Sequence, residues 1–243
     1  MRAAGEKGSR MIVYMTQGQK TVLSRIRVEG LPIHHLSVGR GYFARRRALR
    51  CLCQLYDSGV RRCVCADGDL LPLAAQADIT SYPVLPLRLA LLDGLLDIRC
   101  PDGLQNAAVV LRCGPGGEEA ARAALPVLAR RARYVRLDME DPAALAAALL
   151  YRWGIAAGDG GRRAALTVVC GDMREDAVGP AIYLTEDCAA RQTPVWTSPR
   201  AALPVPVTES LAAVLTAAGK WQISDIHITD LLDIRTESHY NAT

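Results

Sequence analysis

Two stretches constrain this chain most. Each is an apolar run, a pair of glycines and then a helical spacing of apolar residues. The first, Ser37 to Leu49, reads SVGRGYFARRRAL, and the second, Leu111 to Leu125, reads LRCGPGGEEAARAAL. A strand that hands over to a helix through glycines is the joint of a βαβ unit, and successive units build a parallel sheet flanked by helices. The joint also gathers backbone amides where an anionic group is stabilised. The same joint turns corners where nothing binds, so any chemistry has to be read from the side chains around it.

The rest of the chain extends the pattern. Apolar runs at 11–16, 33–38, 62–66, 107–113, 134–137, 166–170 and 181–184 predict strands. Residues 43–58 predict an amphipathic helix, with Ala44, Ala48, Cys51, Leu52, Leu55 and Tyr56 in one stripe, Arg45, Arg46 and Arg50 opposite, and Gly59 just past its end. Further helices are expected at 70–77, 86–98, 118–132, 141–153 and 208–218, the fourth with Asp141 as N-cap and Pro142 at its first position. Pro126 should kink or restart its helix. The Pro-rich segment 193–207 reads as an irregular connection, and 226–228 as a short edge strand. Residues 1–10 and 235–243 read as a tag-like start and a polar tail. The expected class is α/β and Rossmann-like: largely parallel sheets flanked by helices, in two lobes. Those lobes are expected at 11–100 and 104–234, divided at the turn Cys100-Pro101-Asp102-Gly103.

Composition narrows the function classes. With 243 residues, half of them hydrophobic, the chain can bury a sizeable core. A net charge of +4 is mild for a dedicated nucleic-acid binder, and it comes mostly from clustered arginines. No apolar stretch reaches the ~20 residues of a membrane span; Arg88 and Asp93 interrupt the nearest one, 85–98. The first ten residues do not look like a secretory leader, so the expected compartment is the cytoplasm, with the eight cysteines as free thiols.

Gly114-Pro115-Gly116-Gly117 partly resembles the dinucleotide fingerprint G-x-G-x-x-G of Rossmann proteins. It follows a strand and opens a helix, and Asp138 lies at the sequence distance of a ribose contact. It departs from the fingerprint at its third glycine, where Glu119 stands. Glu118 and Glu119 already complement the helix dipole, and they repel a pyrophosphate. The turn Gly39-Arg40-Gly41 has the opposite electrostatics. Arg45, Arg46 and Arg47 follow it, each opposing the dipole by about 0.3–1 kcal/mol. A phosphate there would be stabilised by amides and guanidinium groups together, and Tyr42 and Phe43 are placed to stack a base. Asp67, Asp138 and Asp172 each follow a strand; such acids suit ribose hydroxyls or a metal, and equally the capping of a turn.

Other constellations fall short. Cys51 and Cys53 diverge on a helix, and Cys63 and Cys65 share a strand face but lack a second pair, so no zinc site is assigned. Cys113 precedes a helix N-terminus, a position that lowers a thiol pKa. Only His34, His35, His227 and His239 are available as its base. Asp225-Ile226-His227 and Gly171-Asp172 resemble fragments of the calcineurin-like metallophosphoesterases, but in reversed order and without that family's N-H-[DE] motif. No catalytic residue, metal or cofactor is assigned. The expected function is binding of a phosphorylated or nucleotide-like small molecule in an inter-lobe cleft. Its anchors are Gly39, Arg40, Gly41, Arg45, Arg46 and Arg47, with Gly114, Gly116, Gly117, Asp138 and Asp172 as a second set. The alternative is a non-catalytic interaction or regulatory module whose Arg-rich surfaces bind an acidic protein or nucleic acid.

Overall fold

The structure is a computed structural model and describes residues 11–172, 177, 179–185, 192–197 and 203–233. It is a mixed α/β fold with parallel sheets flanked by helices, as the alternation of apolar runs and helical stripes requires. Contacts divide the chain into two compact units, Met1–Pro83 with Arg200–Trp221, and Val84–Pro199 with Gln222–Thr243. The termini at 1–10 and 235–243 lie outside the described residues.

The first unit holds β1 (Ile12–Gln17), β2 (Val22–Val28), β3 (Leu31–Val38), β4 (Arg62–Cys65) and β5 (Thr80–Ser81) in the order β2-β3-β1-β4-β5. All pairs are parallel except β2 with β3. Strand β2 was not foreseen. It is mostly exposed, so burial wrote no apolar run into it, and it joins β3 through Glu29 and Gly30, both at positive φ, as a tight hairpin needs. Helices α1 (Tyr42–Asp57) and α2 (Leu71–Ala75) serve one face. There Ala48, Leu52 and Leu55 pack with Val13, Met15, Leu36, Val38 and Cys63. On the opposite face Tyr14 donates from its hydroxyl to the Pro206 carbonyl at 2.6 Å, and α7 (Glu209–Ala217) packs against β4. Thr208 caps α7 by accepting from the Leu211 N–H at 3.2 Å.

The second unit holds β6 (Leu104–Cys113), β7 (Ala132–Asp138), β8 (Ala164–Cys170) and β9 (Ala181–Leu184), all parallel, in the order β7-β6-β8-β9. Helices α3 (Leu85–Ala90), α4 (Leu92–Arg99), α5 (Glu118–Arg131) and α6 (Ala143–Trp153) complete it. The single helix expected over 86–98 is two helices that meet at Leu91. Helix α5 runs through Pro126 without ending. Asp141 does not cap α6 from the expected position: the helix starts one residue later, and the Asp141 carboxylate accepts from the Ala143 N–H at 3.2 Å. One core takes Leu95 and Leu96 of α4, Leu125 and Leu128 of α5 and Leu149 of α6. These pack on Val109, Leu111, Val168 and Ile182 of the sheet.

The segment expected to be irregular from 193 to 207 begins with a strand, β10 (Gln192–Thr197), antiparallel to β11 (His227–Asp233). Pro194 is tolerated because this ribbon has only two strands, both of them edges. Gln192 is fully buried, and its side-chain amide accepts from the Tyr183 N–H at 3.3 Å and donates to the Ala181 carbonyl at 2.9 Å. It thereby satisfies the outer edge of β9 as a neighbouring strand would. Arg88, also buried, donates to the carbonyls of Tyr183 and Gln192.

The parallel core of each unit has the same order: the first strand lies between the second and the third. In open α/β sheets the crevice beyond the carboxyl ends of such strands is where ligands sit. Each unit has a cavity there.

Candidate functional site

In the first unit the carboxyl end of β3 runs through Gly39, Arg40 and Gly41 into α1. Gly41 is the N-cap at φ +93°, the first turn contains no acid, and no side chain caps its amides. The turn is latched from β2's side. The Gly39 N–H donates to Thr21 Oγ1 at 3.1 Å, and that hydroxyl donates to the Ala44 carbonyl at 3.0 Å. The Gly39 amide is therefore held inside the turn. Thr21 carries no sequence signal for this role, because a latch across 18 residues has no periodicity.

Arg40 and Arg45 line a cavity of about 570 Å³ together with Gln17, Tyr42 and Asp69. Arg46 and Arg47 do not line it, although they are exposed on the same helix. Among the described residues none of the four arginines forms an ion pair. Asp67 does not line the cavity; its carboxylate accepts from the Gln17 N–H at 3.2 Å. The cavity thus offers two cations, one carboxylate and an uncapped helix start.

The second cavity, about 730 Å³, opens at the carboxyl ends of β8 and β9 and beside the turn after β6. Gly116, Asp172 and Glu119 line it, with Leu85, Tyr183 and Thr185 among the others. Its charged groups among the described residues are the carboxylates of Glu119 and Asp172, with no lysine or arginine. The Thr185 hydroxyl is buried and has no hydrogen-bond partner among the described residues.

Gly114 and Gly117 do other work. The turn after β6 and the turn after β8 interlock: the Gly114 N–H donates to the Cys170 carbonyl at 2.8 Å, and the Asp172 N–H to the Pro115 carbonyl at 3.1 Å. A Cβ on Gly117 would lie 2.5 Å from the Cys170 carbonyl oxygen, and one on Gly171 2.6 Å from the Gly117 nitrogen. Of the glycines that resemble a phosphate loop, Gly117 is the one whose missing Cβ lets the two backbones touch, whereas a Cβ on Gly116 would meet open space.

Asp138 is not on the lining of this cavity. Its carboxylate accepts from Arg112 Nε at 2.7 Å, the residue opposite it in the β6–β7 register. Cys113 does not have the lowered pKa expected of its position: burial, and then the Glu118 carboxylate, push its thiol up. Burial, and then Cys113, push the Cys170 thiol up to about 12. Neither is a ready nucleophile. Cys63 and Cys65 do share a face, with Cys65 Sγ 3.9 Å from both Cys63 Sγ and Met15 Sδ. Their shared hydrogen bond and burial keep the Cys65 thiol protonated. The Asp225 carboxylate accepts from the Gln222 N–H at 2.9 Å in a capping box. Among the described residues no group of three or more His, Cys, Asp or Glu side chains is placed to hold a metal ion.

No family model matches the chain, and no curated protein matches it by sequence. Among solved structures, the L-tryptophan dehydrogenase from Nostoc punctiforme is similar at a TM-score of 0.30 and 10% identity, over 72% of this chain. The chain spans 62% of the length of that protein.

Proposed function

We propose that the first unit binds the phosphate of a phosphorylated or nucleotide-like small molecule in the cavity at the start of α1. One observation carries this reading: Arg40 and Arg45 line that cavity with no ion-pair partner among the described residues, beside a helix start that has neither an acid in its first turn nor a capping side chain. Cations placed there oppose the helix dipole. A bound oxyanion reverses the sign of the interaction, because it accepts from the first-turn amides and from both guanidinium groups. The cavity of the second unit is not assigned the phosphate, since its described charges are both negative. It suits hydroxyl or amine groups instead.

Thermal shift and calorimetry with phosphate, tripolyphosphate, nucleotides and phosphosugars test the reading. A ligand at a hundred times its Kd should stabilise the protein by about 2.7 kcal/mol. Arg40→Ala and Arg45→Ala should each lose most of that protection. Equal protection of both variants, or no shift from any phosphorylated compound at millimolar concentration, would refute it.

A further inference from the structure

The single Phe of the chain, Phe43, is 82% exposed, and Tyr42 beside it is 72% exposed. Their rings meet edge to face with centroids 5.5 Å apart, so neither is turned into the core that α1 covers with its opposite stripe. Large aromatic rings left in water on adjacent positions mark a contact surface. Arg40 precedes them, and Arg45, Arg46, Arg47 and Arg50 follow on the exposed side of α1. No acid occurs in α1 before Asp57. At helical spacing Phe43 shares a face with Arg46, Arg47 and Arg50, while Tyr42 shares one with Arg45 and Arg46. The result is one band in which rings and guanidinium groups alternate.

The proposed phosphate cavity uses only part of this band. Arg46 and Arg47 lie outside its lining, and so does Phe43. A mononucleotide held by Arg40 and Arg45 leaves those groups unanswered. A chain of phosphodiesters with unpaired bases answers all of them, with its phosphates on the arginines and its bases on the ring faces. A duplex offers the charge but keeps its bases stacked inside. We infer that Tyr42, Phe43 and the arginines around them form a docking surface for single-stranded nucleic acid. This rests on the phosphate reading of the neighbouring cavity and extends it from one phosphate to a run of them.

The test is fluorescence anisotropy of labelled single-stranded 20-mers, oligo-dT and oligo-U, with the full chain at several salt concentrations. A duplex of equal length and poly-glutamate serve as competitors. The single strands should bind with log K falling against log salt at a slope of about −3 for four phosphates engaged. Phe43→Ala should weaken binding about tenfold or more. It should leave protection by tripolyphosphate and the melting temperature unchanged, because the ring lies outside the cavity. Arg46→Ala with Arg47→Ala should flatten the salt slope to about half. Duplex or poly-glutamate competing as well as the single strand, or full affinity in Phe43→Ala, would overturn the inference. If tripolyphosphate protects and oligonucleotides do not bind, the docking surface falls and the cavity stands. If oligonucleotides bind and Arg40→Ala keeps its tripolyphosphate protection, the cavity reading falls and the surface stands.

Discussion

Substituting Gly117 by Ala should damage the second unit through contact alone. Gly117 has φ −92°, a conformation that alanine adopts without strain. Its added Cβ, however, would lie 2.5 Å from the carbonyl carbon and oxygen of Cys170 and 2.6 Å from the Gly171 nitrogen. Relief requires the turns after β6 and β8 to part by roughly 1 Å, since unstrained contacts of this kind lie beyond about 3.4 Å. That separation would break the hydrogen bonds Gly114–Cys170 and Asp172–Pro115, at 2.8 and 3.1 Å. Losing two such bonds costs about 1–3 kcal/mol, and overpacking adds about 1–3 kcal/mol. The expected loss is about 3 kcal/mol or more, a fall of roughly 10 °C in Tm at 2–4 °C per kcal/mol. Gly116 is the control. It has φ +73° and open space where a Cβ would go, so Gly116→Ala should cost only the left-handed penalty of about 1–2 kcal/mol. Urea denaturation of the two variants separates the effects. If Gly117→Ala is within 0.5 kcal/mol of the parent, or Gly116→Ala is the worse of the two, the interlock argument is wrong.

Three further outcomes are expected. Pro126→Ala should stabilise the chain by about 1 kcal/mol, because α5 continues past a residue that cannot donate to the preceding turn; a loss of stability would show that Pro126 packing matters more. Thr208→Ala should cost about 1 kcal/mol by removing the acceptor for the Leu211 N–H, while Thr208→Ser should cost much less. Burial lowers the pKa of His34 and His35, with Arg25 adding to the effect at His34. Below about 6.5 the unfolded chain therefore binds more protons than the folded one. Stability is fully present above 6.5 and falls as pH drops toward the lowered folded values. His34→Gln with His35→Gln should flatten that fall, as melting temperatures at pH 5.5 and 7.5 would show.

The sequence revealed elements where burial and periodicity coincide. Strands β6 and β8 are buried enough to read as continuous apolar runs, and α1 shows its stripe because Ala48, Leu52 and Leu55 recur at helical spacing. Strand β2 stayed hidden because Val22 and Leu23 are exposed and Arg25 and Arg27 break its pattern. Strand β10 stayed hidden because Pro194 argues against a strand except at an edge. The candidate site divides the same way. The charge contrast between the two glycine turns was legible, since charge is local to the sequence. The commitment of Asp138 was not, because Arg112 reaches it across strand register from 26 residues away. The interlocked glycines were equally silent, since a residue chosen for close approach looks the same whether it meets a ligand or another loop.

Neither unit is a continuous piece of chain. The ribosome releases β1 to β5 first, yet the acceptor for the Tyr14 hydroxyl, Pro206, and the helix α7 follow more than a hundred residues later. At about 5–20 residues per second that is a wait on the order of ten seconds. Through that interval one face of the first sheet is without its own helix, and the second unit still lacks β11. Neither unit can therefore complete its fold until the segment carrying Pro206, α7 and β11 has been synthesised.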